Sequence, residues 1–372
     1  MNWRIHLMCL GFLLCSCSAM SPMKILEQLP SQESLVRLGK SAYRRIGDAW
    51  EGLDLKYVQT SIDVNLLNYE GDPMKFACVY NDSMNDFELV KSDDKAHLTY
   101  LVDKLNNGRG ISLFFLGIGD DIHERDNRFK VTREWFIESG TNICFIAYTY
   151  QNYDISVLNT YSYLKKTLTT RRVEFVAREA RDLILNVRKQ CVESKKRGCL
   201  KDMSQVTMLG FSLGAHIAAY ACRYLYSETN EKIPKLIGLD PGAVSYWIGT
   251  SNYIHRGDAS YVQVIHTSYM GTRMQQGDHD VYVYCDRWHS PKNHLLALDL
   301  HELISAKKAI LIASEKDGGR MINLRENPEL KSKRVKLAED ECVVGVYNDG
   351  FSKKTNDAHP HPRMFELKLS FK

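Results

Sequence analysis

A serine between two glycines is the feature of this sequence best suited to chemistry. The run Gly210-Phe211-Ser212-Leu213-Gly214 follows an apolar, strand-like segment at 205–209 and precedes a helical pattern at 215–226. A nucleophile elbow needs this order: a strand, a turn too tight for side chains on either flank, and a helix whose N-terminus faces the seryl oxygen. The alternative is an ordinary serine in a glycine-rich turn. The setting favours Ser212 as a nucleophile that attacks a carbonyl carbon.

An aspartate at the end of the next strand is the candidate partner of this serine. A seryl hydroxyl is a poor nucleophile at neutral pH, so it needs a base, and the base needs an orienting carboxylate. In α/β-hydrolases the acid and the histidine follow the serine along the chain. Asp240 follows the apolar run 235–239, one strand–helix–strand unit after Ser212. We therefore predict Asp240 as the acid, with a plain Asp-Pro-Gly turn as the alternative.

The surrounding elements alternate between strand-like and helix-like patterns. The apolar runs 111–116 and 143–148 predict strands that are buried on both faces. Between positions 172 and 191, apolar residues recur at three- and four-residue spacing, which predicts an amphipathic helix. Strands and helices in this order predict an α/β protein of the α/β-hydrolase type, with a mostly parallel sheet flanked by helices and right-handed crossovers.

The segments around Ser212 and Asp240 resemble the pancreatic-type animal lipase family, most closely its short, A1-type phospholipase-like members from insects. The likeness extends through Val262-Gln263-Val264-Ile265-His266-Thr267 and back to Phe114-Phe115-Leu116-Gly117-Ile118, and it covers about residues 75 to 345. The resemblance implies that the backbone N–H groups of Leu213 and Ile118 form the oxyanion hole. It also implies that a histidine after Asp240 completes a triad.

The position of that histidine is the least determined part of the site. The family places it just before a helix, about fifteen residues ahead of an Asp-Gly-like loop, and Asp317-Gly318 lies sixteen residues beyond His301. We therefore favour His301 as the base. His294 is the alternative, because Asn293-His294-Leu295 is locally similar to some family members. A third possibility is that both histidines are structural.

These residues predict hydrolysis of a carboxylic ester of a glycerolipid, by a lipase or an A1-type phospholipase acting at a lipid or membrane surface. No cofactor and no metal are expected. Asp278, His279 and Asp280 with Cys285 and His289 lack the ligand spacing typical of a zinc site. No colipase-type domain is expected either. The alternative function is that of a lipid-binding or storage protein on the same fold, like yolk proteins, but those lack the nucleophile that Ser212 provides.

The N-terminal segment predicts export. Arg4 precedes an apolar run at 7–15, and small residues follow it, so we assign 1–19 as a signal peptide, 20–54 as an N-terminal helical segment and 55–372 as the catalytic domain. Seven cysteines remain after residue 19, an odd number that leaves at least one thiol outside intrachain disulfides. Cys191 and Cys199 bracket a short charged segment and are a candidate local disulfide. We therefore expect a secreted, extracellular protein.

Composition limits the remaining classes. Of 372 residues, 44% are apolar and 25% are charged, and the net charge of +4 is spread along the chain. These are the proportions of a globular protein. No basic stripe is present that would predict nucleic-acid binding.

Overall fold

The computed structural model describes residues 63–150, 160–194, 199–243, 253–285, 292–348 and 361–369. The predicted signal peptide (1–19) and N-terminal helical segment (20–54) lie outside these ranges. Within them, no helix has both the length and the apolar character required to cross a bilayer.

A single mixed sheet of twelve strands organises the described residues. Its order is β10-β9-β12-β8-β7-β6-β5-β3-β4-β1-β2, and β11 pairs with β9. The seven strands from β12 to β4 run parallel, whereas β1, β2, β9, β10 and β11 pair antiparallel at the two sides. The strands are β1 (Lys75–Val79), β2 (Glu88–Lys91), β3 (Ile111–Phe115), β4 (Asn142–Ala147), β5 (Val206–Phe211), β6 (Lys235–Leu239), β7 (Tyr261–His266), β8 (His279–Cys285), β9 (Ala309–Ser314), β10 (Arg320–Asn323), β11 (Glu341–Val343) and β12 (Arg363–Leu369).

Within the described ranges, six α-helices cover the two faces of the sheet. They are α1 (Lys95–Leu105), α2 (Arg128–Ser139), α3 (Thr160–Thr169), α4 (Arg172–Ser194), α5 (Leu213–Thr229) and α6 (Lys292–Ser305). Helices α1, α4 and α5 contribute to one hydrophobic core, and α2 and α6 contribute to the other. The predicted α/β fold, with a mostly parallel sheet flanked by helices, is confirmed.

Strand β5 is apolar almost throughout because both of its faces are buried. Val206 and Met208 point into the core beneath α4 and α5, whereas Leu209 and Phe211 point into the core beneath α2 and α6. A central parallel strand is covered on both faces, so an alternation of polar and apolar residues would leave polar groups in one core. The same reason applies to β3 and β4, all of whose residues are buried.

Two disulfides lie within the described residues. Cys191–Cys199 connects the last turn of α4 to the segment before β5, and this confirms the predicted local disulfide. Cys78–Cys144 joins the neighbouring strands β1 and β4, a pairing that the sequence did not indicate. Cys222, Cys285 and Cys342 are free thiols, in agreement with the odd count.

The parallel strands bring their carboxyl ends to one edge of the sheet. The loops that follow β3, β5, β6 and β7 therefore begin side by side at that edge. In open α/β sheets this is the edge where ligands bind.

Candidate active site

The turn between β5 and α5 holds Ser212 in a strained conformation. Ser212 has φ 54° and ψ −123°, a combination that non-glycine residues rarely adopt. A Cβ atom on Gly210 would lie 2.2 Å from the carbonyl oxygen of Gly214, and one on Gly214 would lie 2.3 Å from the carbonyl oxygens of Phe115 and Leu116. Both flanking positions therefore require glycine, as the predicted nucleophile elbow demands.

The start of α5 supplies a positive field and N–H groups next to this hydroxyl. Ser212 is the N-cap residue, but its side chain makes no capping hydrogen bond, so the hydroxyl is not used by the helix. Leu213 is the first residue of α5, where backbone N–H groups lack intrahelical acceptors. A Cβ atom on Gly242 would lie 3.4 Å from the Ser212 Oγ and 3.5 Å from the Leu213 nitrogen. The missing side chain at Gly242 thus keeps space open above both atoms.

Asp240 directly follows β6 and is completely buried. Its Oδ1 accepts hydrogen bonds from the backbone N–H groups of Thr267 at 2.8 Å and Ser268 at 3.2 Å. Its Oδ2 accepts from the Ser268 hydroxyl, and the His294 Nδ1 lies 2.6 Å from it. A Cβ atom on Gly271 would lie 2.4 Å from Oδ1, so Gly271 also packs directly on the carboxylate. Four hydrogen-bond donors therefore surround this one buried carboxyl group.

His294 occupies the first turn of α6, where it contacts Asp240 and packs beside the Ser212 turn. Its ring packs on Phe211, the residue before Ser212, with 4.6 Å between ring centroids. Because the carboxylate of Asp240 can only accept, the bond to it places the proton of a neutral imidazole on Nδ1. Nε2 is then left with a lone pair that can accept a proton. The side chain of His294 is 11% exposed.

The predicted pairing of His301 with Asp240 is wrong, because the structure places His294 there. Both histidines lie on α6, seven residues apart, so they are two helical turns from each other and share one face. The His301 ring lies against Phe114 at 5.2 Å and edge-on to Trp135 at 4.8 Å. Burial lowers the pKa of His301 to about 3. His301 is therefore a neutral core residue.

The segment after β3, which carries the second predicted oxyanion donor, lies against the Ser212 turn. Gly117 is so close to Phe211 that a Cβ atom would lie 2.8 Å from the ring. Ile118 follows it and is partly buried in the core beneath α5. The structure thus brings the backbone of Ile118 and that of Leu213 to the same edge of the sheet, whereas their role as oxyanion donors stays a prediction.

Two further residues at the site were not singled out by the sequence. The carboxyl group of Asp120 interacts electrostatically with His294, and burial raises its pKa against the opposing effects of Arg128 and the backbone N–H of Gly117. His216 lies on α5, where its Nε2 is 2.9 Å from the carbonyl oxygen of Gly242 and its Nδ1 accepts the backbone N–H of Ile254 at 3.2 Å. His216 thereby ties the segment over Ser212 to α5, and burial lowers its pKa to about 4.

The residues at 278–280, considered as possible metal ligands, bind other side chains. Asp278 pairs with Arg256, the His279 ring contacts Tyr261, and Asp280 pairs with His266. In the part of the chain that the structure describes, no group of three or more His, Cys, Asp or Glu side chains is arranged to hold a metal ion. His289 lies outside that part.

A parallel sheet flanked by helices, with Ser212, Asp240 and His294 in this order along the chain, defines an α/β-hydrolase. Comparison with known families agrees with this class, because the lipase family model matches residues 158–289. That match contains Ser212 and Asp240 and ends before both candidate histidines.

Several curated relatives are wasp enzymes. The chain is 29% identical to phospholipase A1 VesT1.02 of Vespa tropica over 172 residues, which are 45% of this chain and 50% of that protein. It is 24% identical to phospholipase A1 1 of Vespa affinis over 265 residues, 62% and 72% of the two chains. It is 40% identical to phospholipase A1 of Vespa crabro over 83 residues, 22% and 28% of the two chains. The chain spans about half the length of the first relative and less than a third of the last.

These matches confirm the predicted resemblance to the pancreatic-type lipase family and its insect A1-type members. Among solved structures, the carboxylesterase EstE1 from a metagenomic library is 11% identical, with 65% of this chain and 89% of that chain covered and a TM-score of 0.34. The fold class rests on the sheet order and helix placement described above.

Proposed function

We propose that the protein is a serine hydrolase of lipid carboxylic esters, a lipase or A1-type phospholipase, that releases fatty acid from glycerolipids at a lipid or membrane surface. The observation that carries the proposal is the buried Asp240–His294 pair beside a serine held in a nucleophile elbow. The family match and the wasp relatives support a substrate of the lipid class. The alternative, a lipid-binding storage protein, is not favoured because Ser212 lies in an elbow-type turn next to the Asp240–His294 pair.

The proposed reaction follows from the donors and acceptors at the site. Ser212 Oγ attacks the acyl carbonyl carbon while Nε2 of His294 takes its proton. Asp240 accepts a hydrogen bond from Nδ1–H at the other edge of the ring and stabilises the imidazolium that forms. The negative charge on the carbonyl oxygen falls near the first N–H groups of α5, with Leu213 and Ile118 as the proposed donors. The imidazolium then protonates the leaving alcohol, and water releases the fatty acid by the same steps.

Replacement of the nucleophile tests this proposal. Ser212→Ala should abolish labelling by a fluorophosphonate and lower ester hydrolysis by about 10⁶-fold, as expected for removal of a triad nucleophile. Circular dichroism should remain that of the wild type, because Ser212 makes no capping bond. Turnover by a folded Ser212→Ala protein at the wild-type rate would refute the assignment.

A preference for phospholipid over long-chain triglyceride is a finer part of the proposal. With His294 as the base, only the segment 286–291 connects β8 to the helix that carries it. A short connection can bury little acyl surface, and each buried CH₂ is worth only about 0.8 kcal/mol. Initial rates on phosphatidylcholine vesicles and on a trioleoylglycerol emulsion measure the preference. A strong bias towards the emulsion would contradict it.

We also propose that the protein is exported after removal of residues 1–19. The apolar segment after Arg4 supports this, and so do the two disulfides, which persist in oxidising compartments. N-terminal sequencing of protein from the culture medium should begin near Met20. Full-length protein retained in the cytosol would contradict export.

A further inference from the structure

A cleft of about 510 Å³ lies on the sheet face that carries outward-pointing residues of β8 and β12. Tyr282 and Tyr284 alternate along β8 with residues of the core, and Glu366 pairs with Tyr282 across the parallel ladder. Met364, 56% exposed, and Arg273 from the loop after β7 complete this surface. The full lining is Arg273, Tyr282, Tyr284, Glu315, Met364, Phe365 and Glu366. We call it the β8–β12 cleft.

Two bridged loops connect the β8–β12 cleft to the proposed nucleophile. Gly242, in the loop after β6, lies over Ser212 and forms a β-bridge with Gly271, in the loop after β7. Two residues beyond Gly271, the carbonyl oxygen of Arg273 accepts a hydrogen bond from the Tyr282 hydroxyl at 3.1 Å. The loop after β7 therefore borders the cleft and is bridged to the loop that lies over the nucleophile.

The cleft presents a cation on its loop side. The guanidinium of Arg273 stacks on the Tyr269 ring, 4.6 Å from its centroid. Among the described residues, no carboxylate lies within ion-pair distance of it. Arg273 is close enough to both cleft tyrosines to lower the pKa of Tyr282 and Tyr284, against the larger opposite effect of burial. A guanidinium group that is not paired with a carboxylate can bind a phosphate oxygen.

The β12 side of the cleft presents an anion. Glu366 and Tyr284 both line the cleft, and the negative charge of Glu366 adds to burial in raising the pKa of Tyr284. The ion pair of Glu366 with Lys368 is long, at 3.6 Å, and largely exposed, so it neutralises Glu366 only weakly. Glu315, by contrast, is bound by Arg363 at 2.8 Å. Tyrosine rings beside an available carboxylate are a typical environment for a quaternary ammonium group.

We propose that the β8–β12 cleft binds the headgroup of a zwitterionic phospholipid, with the phosphate at Arg273 and the quaternary ammonium group at Tyr284 and Glu366. This inference rests on the proposed function, since it names the lipid that the hydrolase selects. A triglyceride has no charge for either end of the cleft. An anionic phospholipid gains only from Arg273 and is repelled by Glu366.

Steady-state kinetics of charge-neutralised variants tests the proposal. Glu366→Gln should lower kcat/KM on dioleoylphosphatidylcholine vesicles relative to tributyrin about tenfold, mainly through KM, and leave the ratio for dioleoylphosphatidylglycerol vesicles unchanged or raised. Arg273→Gln should lower the ratio for both phospholipids. Arg325→Gln and Glu329→Gln, at exposed positions around β10 and the short 3₁₀ helix Pro328–Lys331, serve as matched controls that should change neither ratio. Equal effects of cleft and control variants on phosphatidylcholine would overturn the proposal.

A binding measurement separates failure of this proposal from failure of the proposed function. The Ser212→Ala protein should sediment with dioleoylphosphatidylcholine vesicles, and adding Glu366→Gln should weaken that binding about tenfold. This result does not depend on turnover, so it holds even if the wild type hydrolyses no ester. Unchanged vesicle binding by Ser212→Ala/Glu366→Gln, or binding of free phosphocholine without binding of the vesicles, would overturn the headgroup assignment.

Discussion

The two histidines of α6 share one helix face but have opposite surroundings. His294, in the first turn, is bonded to a buried carboxylate and packs on the residue before Ser212. His301, two turns later, is enclosed by the rings of Phe114 and Trp135, and its pKa falls to about 3. Whether a histidine of α6 can take part in proton transfer therefore depends on which part of the sheet its helical turn contacts. The first turn reaches the carboxyl edge of the sheet, whereas the later turn packs on its centre.

The largest expected effect is a difference in turnover between variants of the two histidines. His294→Ala should lower kcat for ester hydrolysis by 10⁴-fold or more, because Ser212 loses its proton acceptor. His301→Leu, which keeps an apolar group of similar size in the core, should stay within about tenfold of the wild type. Both rates can be measured on tributyrin. A severe loss in folded His301→Leu with normal turnover in His294→Ala would reverse the assignment.

The Asp240→Asn variant tests whether the Asp240 carboxylate, a partner that His301 lacks among the described residues, sets the tautomer of His294. The amide would present a donor where Nδ1–H and the Ser268 hydroxyl now donate, so the proton of His294 would move to Nε2, which could no longer accept one from Ser212. A fall in kcat of about 10⁴-fold is expected, as for the same change in other triads. Circular dichroism and kcat of the purified variant are the measurements. Full activity of this variant would show that Asp240 does not orient the base.

Ser268→Ala should have a smaller effect on kcat, because Ser268 contacts the same Asp240–His294 pair less directly. Its hydroxyl is one of four donors to Asp240, and the backbone N–H of Ser268 remains in place. Loss of one hydrogen bond to a charged group, worth about 1.5–3 kcal/mol, should lower kcat by roughly 10- to 100-fold. The same substitution at Ser305, whose hydroxyl donates to the backbone carbonyl of Glu302 in the last turn of α6, is the control. Equal kinetics for the two variants would contradict the role given to Ser268.

The smallest effect concerns stability at the His301 end. The pKa of His301 falls from its usual value near 6.5 to about 3 on folding, so the unfolded chain binds a proton below pH 6.5 that the folded chain does not. This group's contribution to stability is complete above pH 6.5 and is lost as the pH falls towards 3. From pH 8 to pH 5, the unfolding free energy should therefore fall by about 2 kcal/mol less in His301→Leu than in the wild type.

Urea denaturation at the two pH values measures that difference. His216, whose pKa also falls on folding, is present in both proteins and contributes equally to their acid sensitivity. An identical pH dependence in the wild type and His301→Leu would show that His301 is not held neutral in the core.

The sequence predicted the central strands, the long helices and the positions of Ser212 and Asp240 at strand ends because each depends on local pattern. Strands β3 to β6 are short apolar runs, and the turn at Ser212 is specified by glycines that no other residue can replace. Asp240 follows its strand directly, so the sheet edge fixes its position.

The proposed base could not be located in this way, because its position depends on tertiary contacts. Both histidines fit the apolar face of α6, and only the docking of the helix shows which turn reaches Asp240. The interval to Asp317-Gly318 misled the prediction, since it assumed a longer connection between β8 and the helix. Asp120 and His216 were missed for the same reason: His294, which interacts with Asp120, and Gly242 and Ile254, which bond His216, come from distant segments of the chain.

The assignment of Ser212, His294 and Asp240 as one unit is tested most directly by fluorophosphonate labelling, with the modified residue located by mass spectrometry. Wild type and His301→Leu should carry the label on Ser212, whereas His294→Ala and Asp240→Asn should label far more slowly, because the hydroxyl is then no longer activated. Rapid labelling of Ser212 in His294→Ala, together with loss of labelling in a folded His301→Leu protein, would contradict the account.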